Sequence, residues 1–504
     1  MRLIVWLLVA VSLSALHAVS SPRGIVCDKV YRALSTSPSV NLLIQLDGTA
    51  PGVAQATQSI NAAGPSCNKA LHVRRALQRH CTQSQSCVAR ILASQPSCRF
   101  RAYWIANAVY VQRATLHLVQ RLSECDNVSR ITLDPSTKLH VHAKDLAISI
   151  PSPNALKYAW GVSKIGAPDV WSSGNFGQGV VVGSIDTGVL HTHEALAGKW
   201  RQDHGWYDPA FQTKVPNDAN GHGTHTMGTI LGGNGIGVAP NATYIACLGC
   251  PNGTCTASAL LECAEFLLCP TDPDGSNPDC SLRPDVINNS WGGIGANPWF
   301  DDAILAWRQA DIIPVFSIGN SGSKCATANS PGDSSLVIGV GATGSGNVVN
   351  GDDSLAFFSS RGRGTGGVVK PDVAAPGYFV FSAVPTDNSS YQYWAGTSMA
   401  APHVTGAIAL YLAANPQATY DEVYEALKAS ANKTALVPTK QNCAGVSDQI
   451  YPNNNYGHGR IDIARAVTSS AGGSTAPVAS TGAVWQRAAS AGVILQAQVF
   501  LPDF

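Results

Sequence analysis

Short apolar runs closed off by Gly, Pro, Asn and Ser recur along the chain, and the elements they predict change character part-way through it. In the first stretch, strand-like runs fall at Val40–Gln45, Trp104–Val111 and Val128–Leu133, while Ala70–Arg79 keeps a helical period. That mixture predicts a small α+β unit. From about Tyr158 to Val467 the strand-like runs Gly179–Ile185, Tyr244–Ala246, Val286–Asn289, Ile312–Ile318 and Leu336–Val340 alternate with helical segments. Such alternation predicts an α/β fold, a mostly parallel sheet flanked by helices. Between the two units, Ser-Ile-Pro-Ser-Pro-Asn (149–154) predicts an extended, accessible linker suited to proteolytic processing.

The beginning of the chain supplies a compartment. Met1 and Arg2 precede an apolar run, Leu3–Leu13, followed by the small residues Ala15, Ala18 and Ser20, the layout of a secretory signal peptide. The run is too short to span about 30 Å of hydrocarbon comfortably, and Ser20-Ser21-Pro22 breaks it. The expectation is a secreted, extracellular protein with no membrane association once the signal is removed. Its predicted organisation is a signal peptide at 1–20, an α+β unit at 21–150 whose junction falls at about 140–157, a large α/β unit at 151–468, and a Ser/Ala/Gly-rich tail at 469–504.

Composition narrows the function classes. Of the 504 residues 45% are hydrophobic, enough to build packed cores, and the formal net charge is +1. Only 13% are charged, against about 25% in an average protein, so no basic field is available for nucleic acid. Behind a signal peptide the 14 cysteines predict disulfides rather than zinc or iron–sulfur ligation. Six lie in the first unit (Cys27, Cys67, Cys81, Cys87, Cys98 and Cys125), and eight in the second. Each unit can therefore pair internally, with connectivity left open by the spacing. Six of the eight (Cys247, Cys250, Cys255, Cys263, Cys269 and Cys280) crowd an insertion at 247–280, read as a stapled loop.

Three local patterns carry chemistry. Val180–Val189 reads as a buried strand ending at Asp186, a position where open α/β sheets place their sites. Gly221–Thr229, Gly-His-Gly-Thr-His-Thr-Met-Gly-Thr, puts His222 and His225 three apart; a zinc protease helix would space them by four with a Glu beside the first, so no metal site is assigned. Ala395–Val404, Ala-Gly-Thr-Ser-Met-Ala-Ala-Pro-His-Val, opens the helical run Thr405–Ala414 and sets Ser398 near a helix N-terminus, with Pro402 in the first turns. Each alone could be a turn or a cap. Together, Asp186, His222 and Ser398 supply orienting carboxylate, general base and nucleophile for acyl transfer.

With these signatures in that order, the second unit resembles the subtilisin-like (subtilase) family of serine endopeptidases, over Tyr158–Val467 and ending in Tyr-Gly-His-Gly-Arg-Ile-Asp at 456–462. The resemblance implies a triad of Asp186, His222 and Ser398, and an oxyanion hole served by Asn320 of Gly319-Asn320-Ser321-Gly322 together with the Ser398 N–H. Ser290-Trp291-Gly292 is similar to the family's substrate-pairing segment, so Ser290, Trp291, Gly292 and Gly319 are the expected substrate-binding residues, Trp291 reshaping one pocket wall. The first unit is implied to be an inhibitory propeptide that aids folding, an attached accessory domain being the alternative. The partners implied are polypeptide substrates and the protein's own propeptide, with the enzyme a monomer. No cofactor is required for the chemistry; structural calcium is expected from the resemblance alone, with no ligand set discernible. Sequons stand at Asn127, Asn241, Asn252, Asn288, Asn388 and Asn432, of which Asn288 is expected to be buried and unmodified.

Overall fold

The computed structural model describes residues 25–64, 67–139, 157–344 and 352–471. The expected signal peptide, the linker at 149–154 and nearly all of the tail lie outside the described residues.

In the N-terminal unit, β1 (Val40–Leu46) pairs antiparallel with β3 (Ala108–Ala114) and β4 (Val128–Leu133), and β2 (Phe100–Tyr103) closes the order β2-β3-β1-β4. Helices α1 (Asp28–Leu34), α2 (Ala50–Ala63), α3 (Lys69–Ser84), α4 (Ser86–Ala93) and α5 (Leu116–Ser123) complete the α+β unit. The expected strand Trp104–Val111 begins at Ala108 instead. Asn107 takes φ 44°, a left-handed conformation open to Asn, and its buried side chain donates to Asp47 O at 2.6 Å and Ser84 Oγ at 2.9 Å. A buried turn therefore interrupts an apolar run that reads as continuous.

The second unit holds a seven-stranded sheet, all of whose pairings are parallel. Its order is β13 (Val373–Pro376), β12 (Ile338–Thr343), β11 (Ile313–Ser317), β10 (Val286–Asn289), β6 (Val181–Asp186), β8 (Thr243–Leu248) and β7 (Trp206–Tyr207). Burial on both faces explains why these strands read as apolar runs without alternation. One cluster joins the sheet to α6 (Trp160–Lys164), α7 (Ala167–Trp171), α8 (His222–Leu231) and α11 (Thr397–Ala414). On the other face, α9 (Ala257–Leu268) and α10 (Asp301–Gln309) share a second cluster with Leu43, Val73, Leu77 and Tyr103 of the N-terminal unit. The two units are thus packed through a common apolar layer.

Polar contacts border that layer. The Arg101 guanidinium lies 2.9 Å from Glu262, Lys69 lies 2.7 Å from Asp311, and the Trp104 N–H donates to Glu265 at 2.6 Å. Asp134 accepts from both the backbone and the hydroxyl of Ser258, in the first turn of α9.

Five disulfides are formed: Cys87–Cys125, Cys247–Cys263, Cys250–Cys255, Cys269–Cys280 and Cys325–Cys443. All eight cysteines of the second unit pair among themselves, as expected, whereas Cys27, Cys67, Cys81 and Cys98 of the first remain thiols. Burial pushes the Cys81 thiol up to about 12, and it donates to the Trp104 carbonyl. The insertion is also more ordered than a loop, because it contains α9 and the short strand β9 (Thr254–Thr256).

Candidate active site

Strands β6, β10 and β11 are neighbours, and their carboxyl ends deliver Asp186, Ser290 and Asn320 to one edge of the sheet, where the order of connection reverses. Asp186 is the last residue of β6 and is 2% exposed. Its Oδ1 accepts from the Thr187 N–H and from His222 Nδ1, both at 2.7 Å, and its Oδ2 accepts from Thr226 Oγ1 at 3.2 Å. The Nδ1 bond fixes the imidazole tautomer, directing the basic lone pair of His222 to Nε2. Among the described residues that buried nitrogen has no hydrogen-bond partner.

His222 opens α8, and the turn that delivers it is held by Asp218. Its carboxylate accepts from the N–H groups of Asn220, Gly221 and Thr224 and from the hydroxyls of Thr187 and Thr224. Burial nevertheless raises the Asp218 pKa. Gly221 takes φ 101°, and a Cβ there would sit 3.0 Å from Pro385, so the turn requires glycine. His225, one turn on, stacks on Trp394 at 4.7 Å; burial pushes its pKa down to about 3, so it is neutral and structural. Trp394 also leans over His222, at 6.4 Å between ring centroids.

Ser398 lies in the first turn of α11, 5% exposed. Its Oγ donates to the Ser290 carbonyl at 3.1 Å rather than to His222. Pro402, four residues on, has no N–H to give the Ser398 carbonyl. Ser290 Oγ supplies the missing bond at 2.9 Å, so β10 and α11 are stitched in both directions at the nucleophile position. Asn320 turns its carboxamide oxygen to the Thr397 N–H at 2.9 Å and the Thr397 hydroxyl at 2.8 Å, which orients the donor end of the amide away from Thr397.

A cavity of about 360 Å³ opens beside these groups, lined by Ser290, Trp291 and Gly292 on one side and Ser317, Gly319 and Asn320 on the other, and reached by Ser398. The cavity thus gathers Ser290, Trp291, Gly292, Gly319, Asn320 and Ser398, while Asp186 and His222 are joined to each other by their hydrogen bond. Trp291 is 3% exposed and meets Phe300 and Phe316 edge-on, each at 5.2 Å. It lines this cavity and also a second one of about 130 Å³. Asn288 is fully buried, donating to Ser290 Oγ at 3.0 Å. Among the described residues, no group of three or more His, Cys, Asp or Glu is placed to hold a metal ion.

The groove is occupied from within the chain. Strand β5 (Ser136–Lys138) pairs antiparallel with β9, the Leu139 N–H donates to the Gly253 carbonyl at 2.9 Å, and Thr137 Oγ1 donates to the Gly292 carbonyl at 2.9 Å. Lys138 and Leu139 thereby enter the lining of the larger cavity.

The subtilase-family model matches residues 177–459, a span containing every one of the predicted site residues. The chain belongs to the subtilase family. It is 32% identical over 450 residues to Bacillopeptidase F of Bacillus subtilis (strain 168), an alignment covering 82% of this chain but 30% of that protein's length. It is 32% identical over 308 residues to the Extracellular serine proteinase of Thermus sp. (strain Rt41A), covering 60% and 67% of the two chains. With Serine protease AprX of Bacillus subtilis (strain 168) the identity is 31% over 339 residues, covering 62% and 71%. Subtilases are serine-type endopeptidases, hydrolases that need no cofactor for catalysis. Among the described residues no helix is long and apolar enough to cross a membrane.

Sequence reasoning missed Asp218, Thr397 and Trp394 as parts of this subtilase site. Asp218-Ala-Asn-Gly carried a turn signal, and Thr397 sat inside a quoted motif. Trp394 had no signal, since the rings it meets, His222 and His225, are distant in the chain.

Proposed function

We propose that this subtilase is a secreted endopeptidase, synthesised as an autoprocessed preproprotein, that hydrolyses peptide bonds through an acyl-enzyme on Ser398. The observation that carries the proposal is the buried 2.7 Å bond from His222 Nδ1 to Asp186, which leaves Nε2 as an unengaged base. In the reaction the Ser398 hydroxyl leaves the Ser290 carbonyl and turns to Nε2, which takes its proton as Oγ attacks the scissile carbonyl. The developing oxyanion is received by the Asn320 amide and the Ser398 N–H, donors already in position before charge forms. His222 then returns the proton to the leaving amine, and water attacks the acyl-enzyme by the reverse path. Asp186 keeps the imidazole oriented and stabilises its charged form.

Antiparallel pairing of β5 with β9 supports an inhibitory role for the N-terminal unit. A stretch of the chain itself lies along the groove as a peptide would, bonded through its backbone to β9. The cut that frees the enzyme follows Leu139, which lines the cavity with Ser398 and stands at the near edge of the predicted junction at about 140–157. After release the enzyme acts as an extracellular monomer.

Labelling the secreted protein with a fluorophosphonate probe tests the proposal. The expected result is a labelled species near the size of the second unit, absent from Ser398→Ala. A folded wild-type protein that releases its N-terminal unit yet takes no label overturns it.

A further inference from the structure

A carboxylate of the N-terminal unit is seated on the start of α9, well away from the reacting bond. Asp134 Oδ1 accepts from the Ser258 N–H at 3.1 Å, and its Oδ2 accepts from the Ser258 hydroxyl at 2.6 Å. One residue on, the Pro135 carbonyl accepts from the Ala257 N–H at 2.8 Å. The next N–H of the helix, that of Ala259, is taken by the side chain of its N-cap, Thr256. The opening donors of α9 are therefore divided: the helix satisfies one from its own cap, and the chain lying in the groove satisfies two.

Those two depend on the joined state. Ser258 is 8% exposed there, and its Oγ lies 3.0 Å from Thr256 Oγ1, which holds the hydroxyl in place. When the N-terminal unit leaves, two N–H groups and this hydroxyl lose their acceptors at the positive end of a 12-residue helix. Register ties the spot to the reaction. Ser136, Thr137 and Lys138 pair with Thr256, Cys255 and Thr254, and the Leu139 N–H donates to Gly253. With the cut after Leu139, Asp134 is the sixth residue before the scissile bond. A substrate on the same path brings its own sixth residue to Ser258. Aspartate there gives one oxygen to the N–H and the other to the hydroxyl. Alanine leaves both donors empty, and lysine brings a cation to the positive helix end. Burial raises the Asp134 pKa against the pull of the Ser258 and Ala257 donors, so part of the gain is spent on desolvation. We infer that in the released enzyme the start of α9 is a remote docking site for acidic side chains, favouring polypeptide substrates with Asp six residues before the cut. The inference rests on the peptidase reading and deepens it.

The test uses the full chain, expressed and allowed to process, with active sites counted by fluorophosphonate labelling. The substrates are acetylated fluorogenic peptides carrying Asp-Pro-Ser-Thr-Lys-Leu before the scissile bond, with the first residue changed to Ala or Lys. For the wild type, kcat/KM with Asp should exceed that with Ala by about tenfold, and Lys should fall below Ala. The difference should lie in KM with kcat unchanged, because the contact is the same before and during the reaction. Ser258→Ala should bring Asp and Ala to within about twofold of each other. Ser258→Asp, an acid favoured in a first helical turn, should place Lys above Asp. Ser258→Ala remains informative if that variant does not mature. Equal kcat/KM for Asp and Ala in the wild type overturns the inference, as does an Asp preference unchanged in Ser258→Ala. Cleavage of the peptides at a bond other than the one after Leu overturns it too, since the register is then wrong. A wild type that is neither labelled nor able to cleave any peptide overturns the peptidase reading, and this inference with it.

Discussion

Asn320 commits its carboxamide oxygen to Thr397, and the orientation of the opposite end follows from that choice. Asn320→Ala should lower turnover by about 10²- to 10³-fold, a magnitude known from subtilisin rather than obtained from this geometry. Thr397→Val keeps the backbone donor and removes the hydroxyl, leaving the amide freer to rotate. Loss of one ordinary hydrogen bond, about 1 kcal/mol, gives roughly a fivefold fall. It should appear in kcat with KM little changed, and equal loss in both parameters would point to a binding role. Asp186, His222 and Ser398 were legible because each is embedded in a dense local signature. Trp394 was not, because its place at the site comes from stacking on His225 in space, and nothing beside it in the chain reports that contact.

Elements differ in how openly they declare themselves. Val286–Asn289 was read to the residue, since a strand buried on both faces is a short apolar run between breakers. Helix α8 shows no solvent-facing side, because every residue in it is buried. Periodicity therefore could not identify it. Helix α9 lay hidden among cysteines, where spacing suggested loops. Its fixing to β8 by Cys247–Cys263, a separation of 16 residues, leads to a prediction. Replacing both cysteines with serine should cost about 3 kcal/mol in denaturant unfolding. Since α9 also borders the groove through β9, the same variant should lose binding of the N-terminal unit before it loses the sheet. An unchanged midpoint would mean that packing alone holds the helix.

For the molecule as a whole, the joint between the two units carries a charge problem. Burial against the N-terminal unit raises Glu265 to about 8 from an ordinary value near 4.5, although it accepts from Trp104 and Ile105. A carboxyl raised in the joined state binds more protons there than when exposed. Its stabilising contribution is complete below about pH 4.5 and fades as pH climbs through 8. In full-length Ser398→Ala protein, the melting temperature should fall between pH 5 and pH 8.5, and less steeply with Glu265→Gln. Parallel slopes would assign the pH response to other groups. None of this was visible in the sequence, which marks Glu265 merely as one polar position on a helix.

Cys325 and Cys443 stand 118 positions apart in sequence, and Ser398 lies inside that span. A protease in solution meets other copies of itself, and surface points such as Phe357, 61% exposed, are open to attack. One nick anywhere inside the bridged span yields two pieces that stay covalently joined through sulfur, with the nucleophile still anchored to the sheet. Damage of that kind would pass unnoticed on a non-reducing gel, and the bond acts as insurance against the enzyme's own trade.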